Sequence, residues 1–186
     1  MQGDFFEHLK MVRLIIGDEN AVVVKKSADM KKINGLIIPG GESTAIGKLM
    51  VKSGIDKEII NSGIPLFGTC AGAILLAKNI FNSQQFSLNL LNVAIERNSY
   101  GRQKESFEAD LNFNAGGNNK KVRGVFIRAP IIKSVGENIE VLSRLDSSPV
   151  LVRQENILAS TFHPELVGEE SIHRFFIEKM ISGKLI

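Results

Sequence analysis

The chain has 186 residues, of which 44% are hydrophobic and 23% charged, and its formal net charge is +3. The basic residues are scattered, and the chain has no Trp and a single Tyr, which disfavours a nucleic-acid-binding protein. Its apolar runs are too short to cross a bilayer, its first residues lack a signal-peptide pattern, and its single cysteine excludes an internal disulfide. We therefore expect one cytoplasmic domain that spans residues 1–186.

The first half of the sequence predicts helices that alternate with short apolar strands. Residues 4–16 form an amphipathic helical pattern that ends at Gly17, although residues 12–16 alone also fit a strand. Further along, the patterns predict strands over residues 21–25, 36–38 and 66–67, a helix that contains Ile46, Leu49 and Met50, and a helix over residues 73–77. This alternation is typical of a parallel sheet covered on both faces.

The second half is richer in strands. The predicted strands cover residues 90–96, 106–113, 122–128, 139–142, 150–153 and 157–162, with a turn-rich loop over residues 114–119 and a hairpin turn over residues 154–156. An amphipathic helix is predicted over residues 169–181, with Ile172, Phe175, Phe176 and Met180 on one face. The sequence therefore predicts a mixed α/β domain whose sheet gains antiparallel strands toward its C-terminal half.

Cys70 lies in a pattern that is typical of a catalytic nucleophile. It occupies the centre of Gly68-Thr69-Cys70-Ala71-Gly72, between a predicted strand and a predicted helix. This is the arrangement of a nucleophile elbow, in which a sharp turn requires small residues on both sides of the nucleophile. The helix N-terminus that follows favours a negatively charged sulfur, the form that attacks a carbonyl carbon.

His163 and Glu165 are the candidate partners of Cys70. His163 follows a predicted strand, at the sheet edge where α/β proteins place their chemistry, and Glu165 comes two residues later. We expect His163 to accept the thiol proton and Glu165 to orient the imidazole. The other two histidines, His8 and His173, lie in amphipathic helical patterns, where we expect surface or partly packed side chains.

The segment Pro39-Gly40-Gly41-Glu42-Ser43 supplies candidate anion-binding groups. Adjacent glycines allow a backbone N–H to approach a ligand closely, so we assign an oxyanion hole to the N–H groups of Gly41 and Ala71. A phosphate-binding loop is the competing interpretation, but neither the P-loop nor the dinucleotide spacing is present.

Together these motifs resemble the class I glutamine amidotransferases, whose triad is Cys, His and Glu. Residues 39–44, residues 96–103 (Glu-Arg-Asn-Ser-Tyr-Gly-Arg-Gln), the opening Gln2-Gly3-Asp4 with Glu7-His8, and residues 126–130 look like one subfamily, the glutaminase subunit of pyridoxal 5'-phosphate synthase. The resemblance implies a three-layer, flavodoxin-like α/β fold with a mixed, mostly parallel sheet and helices on both faces.

The resemblance also implies a reaction and a partner. Glutamine would be hydrolysed to glutamate and ammonia through a thioester on Cys70, and the ammonia would pass to a synthase subunit that makes pyridoxal 5'-phosphate. No metal or cofactor is implied for this chain, because pyridoxal 5'-phosphate is the product of the complex. The residues that would hold glutamine are Gly41, Glu42, Ser43, Arg97, Ile127 and Arg128. Which arginine meets the substrate carboxylate stays open.

One departure from the family pattern concerns the first residues. The family normally opens with an apolar β-strand that leads into the Gln-Gly-Asp segment, whereas this sequence starts at Met1-Gln2-Gly3. We therefore expect an added upstream apolar strand to raise the melting temperature.

Three other functions fit these motifs less well. A glutaminase of histidine or guanine nucleotide synthesis is disfavoured by residues 97–103, and a non-catalytic glutamine sensor is disfavoured by the presence of Cys70, His163 and Glu165. A cysteine hydrolase of the PfpI type shares the elbow but lacks this glutamine-site arrangement.

Overall fold

The computed structural model describes residues 5–97 and 106–183. The α-helices there are α1 (Phe5–Ile16), α2 (Ser43–Ser53), α3 (Ile55–Ser62), α4 (Ala71–Leu76) and α5 (Ser171–Arg174), which continues as a π-helix over Phe175–Ile181. The strands are β1 (Leu36–Ile38), β2 (Leu66–Thr69), β3 (Ala77–Ile80), β4 (Leu91–Glu96), β5 (Ser106–Ala115), β6 (Asn118–Ile127), β7 (Ile131–Val135), β8 (Glu140–Leu145), β9 (Ser148–Gln154) and β10 (Ile157–Ser160). None of these helices is long and apolar enough to cross a membrane.

A five-stranded sheet in the order β1-β2-β10-β9-β8 forms the centre of the molecule. Strands β1, β2 and β10 are parallel, whereas β9 and β8 are antiparallel additions at the far side. A three-stranded sheet in the order β3-β4-β7 and the hairpin β5-β6 lie beside it. The mixed α/β fold and the antiparallel strands of the C-terminal half are as the sequence predicts.

Alternate residues of the central strands face two separate cores. Ile38, Leu66 and Ala159 belong to one cluster, together with the apolar faces of α2, α3 and α4. Phe67 and Leu158 belong to the other cluster, which includes residues of the β5-β6 hairpin, α5 and the π-helix. Because side chains alternate across a strand, the sheet is covered on both faces.

Local chemistry explains where α1 ends and where α2 begins. The α1 helix stops at Gly17, which adopts φ 88°, a conformation that favours glycine. At the start of α2 the Glu42 carboxylate accepts hydrogen bonds from the N–H groups of Thr44 (3.0 Å) and Ala45 (2.6 Å). This cap satisfies two amide groups that a helix otherwise leaves without partners.

The structure corrects several element predictions. Residues 21–25 do not form a strand, because no strand in the described ranges pairs with them; Ala21 and Val24 are instead buried by packing. The helix predicted over residues 73–77 ends at Leu76, since Ala77 begins β3.

The loop predicted over residues 114–119 is much shorter. It is a two-residue turn at Gly116 and Gly117, whose φ angles of 59° and 84° suit the primed turns of hairpins. The hairpin turn between β9 and β10 is confirmed.

Candidate functional site

Cys70 lies at the sharp turn between β2 and α4. Its φ of 49° and ψ of −103° are unusual for a residue with a side chain, and its N–H donates to the Ser160 carbonyl at 2.8 Å. A Cβ at Gly68 would lie 2.6 Å from the Gly72 carbonyl carbon, and a Cβ at Gly72 would lie 2.0 Å from the Ile38 carbonyl oxygen. Both glycines therefore allow the close approach that holds the strained turn, as the elbow pattern predicts.

His163 is brought to Cys70 by β10 and the β5-β6 hairpin. The His163 N–H donates to the Val125 carbonyl at 2.8 Å, which joins the end of β10 to β6. Its Nδ1 lies 2.8 Å from Glu165 Oε1, and the ring lies beside the Cys70 thiol. Because Nδ1 faces the carboxylate, Nε2 is the nitrogen left to exchange a proton with sulfur.

Both partners of this contact are buried and have shifted pKa values. Burial alone would lower the pKa of His163, but its hydrogen bonds to Cys70 and Glu165 outweigh that effect and raise the pKa to about 10. Burial alone would raise the pKa of Glu165, but hydrogen bonds from His163 and His8 lower it to about 2. The geometry therefore favours a charged imidazolium held between a carboxylate and the sulfur.

The turn over residues 39–41 lies against this cluster. A Cβ at Gly40 would lie 2.4 Å from His163 Cε1, so the turn and the imidazole are packed without room for a side chain. Gly41 is exposed with φ 135°, and Ala71 is the buried first residue of α4. Of the two candidate oxyanion donors, Gly41 thus lies on the histidine side and Ala71 lies next to the nucleophile. Their role as donors stays a prediction.

The residues predicted to hold glutamine fall into two groups. In the first, Arg97 donates to Glu42 at 3.3 Å, and Arg97 and Ser43 both donate to Gln85 Oε1, at 2.6 and 3.1 Å. This group joins the start of α2 to the end of β4.

The second group lies beside the sulfur. The Ile127 carbonyl lies 3.9 Å from Cys70 Sγ, and Arg128 follows with φ 43°. A positive φ at an arginine is a strained conformation that the surrounding structure must maintain. The segment Asn98–Gln103, which carried much of the family resemblance, lies outside the described residues.

The structure adds polar residues that sequence reasoning missed. Gln85 connects the residues of the first glutamine group, yet it lies in a polar stretch without a recognisable motif. His8 and His173 are 3% and 0% exposed and hydrogen-bond to one another, so they are not surface side chains. Their neighbours in the sequence could have indicated this burial. His8 shares the packed helical face of Leu9 and Val12, and His173 follows buried Ile172.

Within residues 5–97 and 106–183 no group of three or more His, Cys, Asp or Glu side chains is arranged to hold a metal ion.

Comparison with known proteins places this geometry in a family. The family model described as SNO glutamine amidotransferase family matches residues 1–182. Proteins named pyridoxal 5'-phosphate synthase subunit PdxT are similar: that of Pseudothermotoga lettingae is 50% identical over 96% of this chain and 91% of its own length. The corresponding protein of Kosmotoga olearia is 47% identical over 97% of this chain and 95% of its own.

Solved structures agree with the sequence comparison. A crystal structure of a glutamine amidotransferase superimposes with a TM-score of 0.89 at 48% identity, over 98% of this chain and 96% of the other. A glutamine amidotransferase from Thermotoga maritima has a TM-score of 0.60 at 11% identity, over 98% of this chain and 83% of the other, which shows a shared fold. The chain belongs to the SNO glutamine amidotransferase family.

Proposed function

We propose that this chain is the glutaminase subunit of a pyridoxal 5'-phosphate synthase, with Cys70, His163 and Glu165 as its catalytic triad. The observation that carries the proposal is the contact of a strained, elbow-mounted thiol with a buried histidine that is itself 2.8 Å from a buried carboxylate. The names of relatives at 47–50% identity supply the pathway.

The chemistry proceeds in two stages. The Cys70 sulfur attacks the side-chain amide carbon of glutamine, and the oxyanion that forms is held by the N–H groups of Gly41 and Ala71. His163 gives its proton to the leaving nitrogen, so that ammonia departs and a thioester remains. Water, deprotonated by His163, then attacks the thioester, and glutamate leaves as the thiol re-forms.

Each part of the glutamine molecule has a chemically suited group nearby. The substrate carboxylate suits a guanidinium or backbone donors, and Arg97 and Arg128 are the candidates. The substrate ammonium suits a carboxylate or carbonyl oxygens, such as those of Glu42 and Ile127. The Glu42 carboxylate is ionised for this purpose, since hydrogen bonds from the N–H groups of Thr44 and Ala45 lower its pKa.

The partner is a synthase subunit that accepts the ammonia. Free hydrolysis of glutamine wastes nitrogen, so we expect this chain to be weakly active alone and activated when the synthase docks and completes the oxyanion hole. We place the complex in the cytoplasm, and neither a metal nor a cofactor is required of this chain. Equal turnover with and without the synthase subunit would contradict this activation.

The test is glutamate release from glutamine in the presence of the cognate synthase subunit, with Cys70→Ala compared with the unaltered chain. We expect partner-dependent activity that disappears in the variant, while the variant still binds the synthase. Because Cys70 is the only cysteine, loss of iodoacetamide labelling confirms that the thiol has been removed. Glutaminase activity retained by Cys70→Ala would refute the thiol mechanism, and ammonia delivery to a different synthase would refute the pathway.

A further inference from the structure

We propose that His8 is a positioning residue that holds the Glu165 carboxylate in place behind His163. This inference rests on the triad proposed above and concerns how that triad is oriented. It is carried by a chain of three buried histidines that joins both ends of the fold to a single carboxylate oxygen.

Glu165 Oε1 is shared by two imidazole rings. His163 Nδ1 lies 2.8 Å from it on one side, and His8 Nε2 lies 3.3 Å from it on the other. The second carboxylate oxygen, Oε2, is buried and has no hydrogen-bond partner in the described parts of the chain. No hydrogen bond in the described parts of the chain orients the carboxylate through Oε2, so its orientation by hydrogen bonding depends on the two imidazoles.

His8 is itself fixed by two further contacts. Its Nε2 lies 3.0 Å from Thr69 Oγ1, in the residue before the nucleophile, and its Nδ1 lies 2.9 Å from His173 Nε2. The Phe67 ring packs edge-on against both imidazoles, with centroid distances of 6.2 Å to His8 and 5.6 Å to His173. Packing and hydrogen bonds thus leave the His8 ring one orientation.

The proton positions follow from which groups can be satisfied. His173 is neutral, since burial, followed by the neighbouring His8, lowers its pKa to about 3. Its Nδ1 is buried without a partner in the described parts of the chain, and an unpaired N–H there would cost more than an unpaired lone pair. The proton therefore lies on His173 Nε2 and is donated to His8 Nδ1. This leaves His8 with its proton on Nε2, directed at Thr69 and Glu165.

Among the contacts described, His163 and His8 are the two titratable side chains that face Glu165. His8 faces it from α1 and His163 from its own turn, while Thr69 on β2 and His173 on α5 contact His8. A donor at the Nε2 position of residue 8 is thus the specific requirement. This requirement differs from simple filling of space by an imidazole, and variants of residue 8 can separate the two.

Two substitutions of similar size separate these roles. In His8→Gln the amide nitrogen reaches the position of the imidazole Nε2, whereas in His8→Asn it reaches only the position of Nδ1. With the synthase subunit present, we expect His8→Asn to lower kcat by about 10- to 100-fold with little change in KM, since a hydrogen bond to a charged group is lost. We expect His8→Gln to retain kcat to within about threefold.

The dependence of kcat on pH gives a second measurement, and a variant at another buried residue of α1 controls for lost packing. Loss of the donor loosens the pairing of Glu165 with His163, so we expect the alkaline limb of the kcat profile to move in His8→Asn but not in His8→Gln. Met11→Ala removes another buried side chain from the same helix, one that carries no hydrogen-bond donor, and we expect it to destabilise the fold without moving that limb. Equal behaviour of the Asn and Gln variants, or a shifted limb in Met11→Ala, would overturn the inference.

A measurement on the unaltered chain does not depend on how the variants fold. Nitrogen-15 NMR of the three histidines reports which ring nitrogen carries the proton. We expect Nε2–H on His8 and on His173, and a bare Nε2 on His8 would refute the assignment. If Cys70→Ala stays active, the proposed triad itself fails; if it is inactive while His8→Asn matches the unaltered chain, only the role of His8 fails.

Discussion

The Glu165 carboxylate is shielded from solvent, and its ionisation depends on the imidazole beside it. Its side chain is fully buried, yet the hydrogen bonds from His163 and His8 lower its pKa to about 2. The same contact acts in reverse on His163, whose pKa is raised to about 10. At neutral pH the residues therefore form an ion pair in a medium that strengthens their attraction.

Glu165→Gln tests the catalytic consequence of this pair. Removing the carboxylate lowers the pKa of His163, so we expect kcat to fall by about 10²- to 10⁴-fold in the presence of the synthase subunit. Iodoacetamide labelling of Cys70 at neutral pH should also slow, because the positive charge on the neighbouring imidazole is lost. Glu137→Gln removes an exposed carboxylate and serves as the control. An unchanged labelling rate in Glu165→Gln would contradict the role assigned to Glu165.

The pair also sets a dependence of stability on pH. His163 has a raised pKa in the folded state, so its contribution is complete below its unfolded value of 6.5 and is lost as the pH rises through about 10. Glu165 has a lowered pKa, so its contribution is present above 4.5 and is lost as the pH falls toward 2. We expect the difference in unfolding free energy between the unaltered chain and Glu165→Gln, measured in urea, to be largest between pH 4.5 and 6.5. A difference that grows from pH 7 to pH 10 would refute this assignment.

Among the elements, β1, β2 and α4 meet at a point where only glycine fits. In Gly72→Ala the new Cβ would lie 2.0 Å from a backbone oxygen of β1, so strand and elbow must move apart. We expect the unfolding free energy to fall by more than about 3 kcal/mol. We also expect glutaminase activity to be lost. Gly54→Ala is the control: its φ of 71° costs about 1–2 kcal/mol, but nothing lies within 4 Å of the new Cβ. Similar losses in the two variants would mean that the close contact with β1 is not limiting.

Elements with a strong apolar pattern were predictable, and weakly patterned ones were not. The strands β1, β2, β4 and β10 are continuous or alternating apolar runs, and these were predicted. The strands β3 and β7 were missed, since their residues are mostly exposed or half-buried. Residues 21–25 show the converse, because apolar residues can be buried without belonging to a sheet.

The residues of the candidate site also divide into those that local sequence predicts and those that it does not. Cys70, His163 and Glu165 lie in short motifs at strand ends, where local sequence indicates chemistry. The contacts of His8 with His173 and of Gln85 with Arg97 are tertiary, and no local pattern in a single sequence reports them.

On the scale of the whole molecule, an apolar groove of about 510 Å³ runs beside β1. Its walls include the extended segment over residues 21–24, α1 and the π-helix, and in the described residues β1 pairs only with β2. The groove therefore offers a strand edge and an apolar lining at the same place.

We propose that an apolar β-strand added ahead of Met1 would dock in this groove. Such an extension should raise the melting temperature by several degrees, since about 1 kcal/mol corresponds to roughly 2–4 °C in a chain of this size. The control extension has the same length and carries two central prolines, which remove backbone donors and prevent strand pairing. An unchanged melting temperature for the apolar extension, or an equal increase for both, would contradict the proposal.

The histidine chain has a consequence for synthesis on the ribosome. His8 and His173 are 165 residues apart in sequence, yet both lie behind the same carboxylate. A nascent chain already contains Cys70 long before His163, Glu165 and the last histidine have emerged from the exit tunnel. The proposed triad can therefore assemble only after nearly the whole chain has been made, so under the proposed mechanism a ribosome-bound nascent chain does not hydrolyse glutamine.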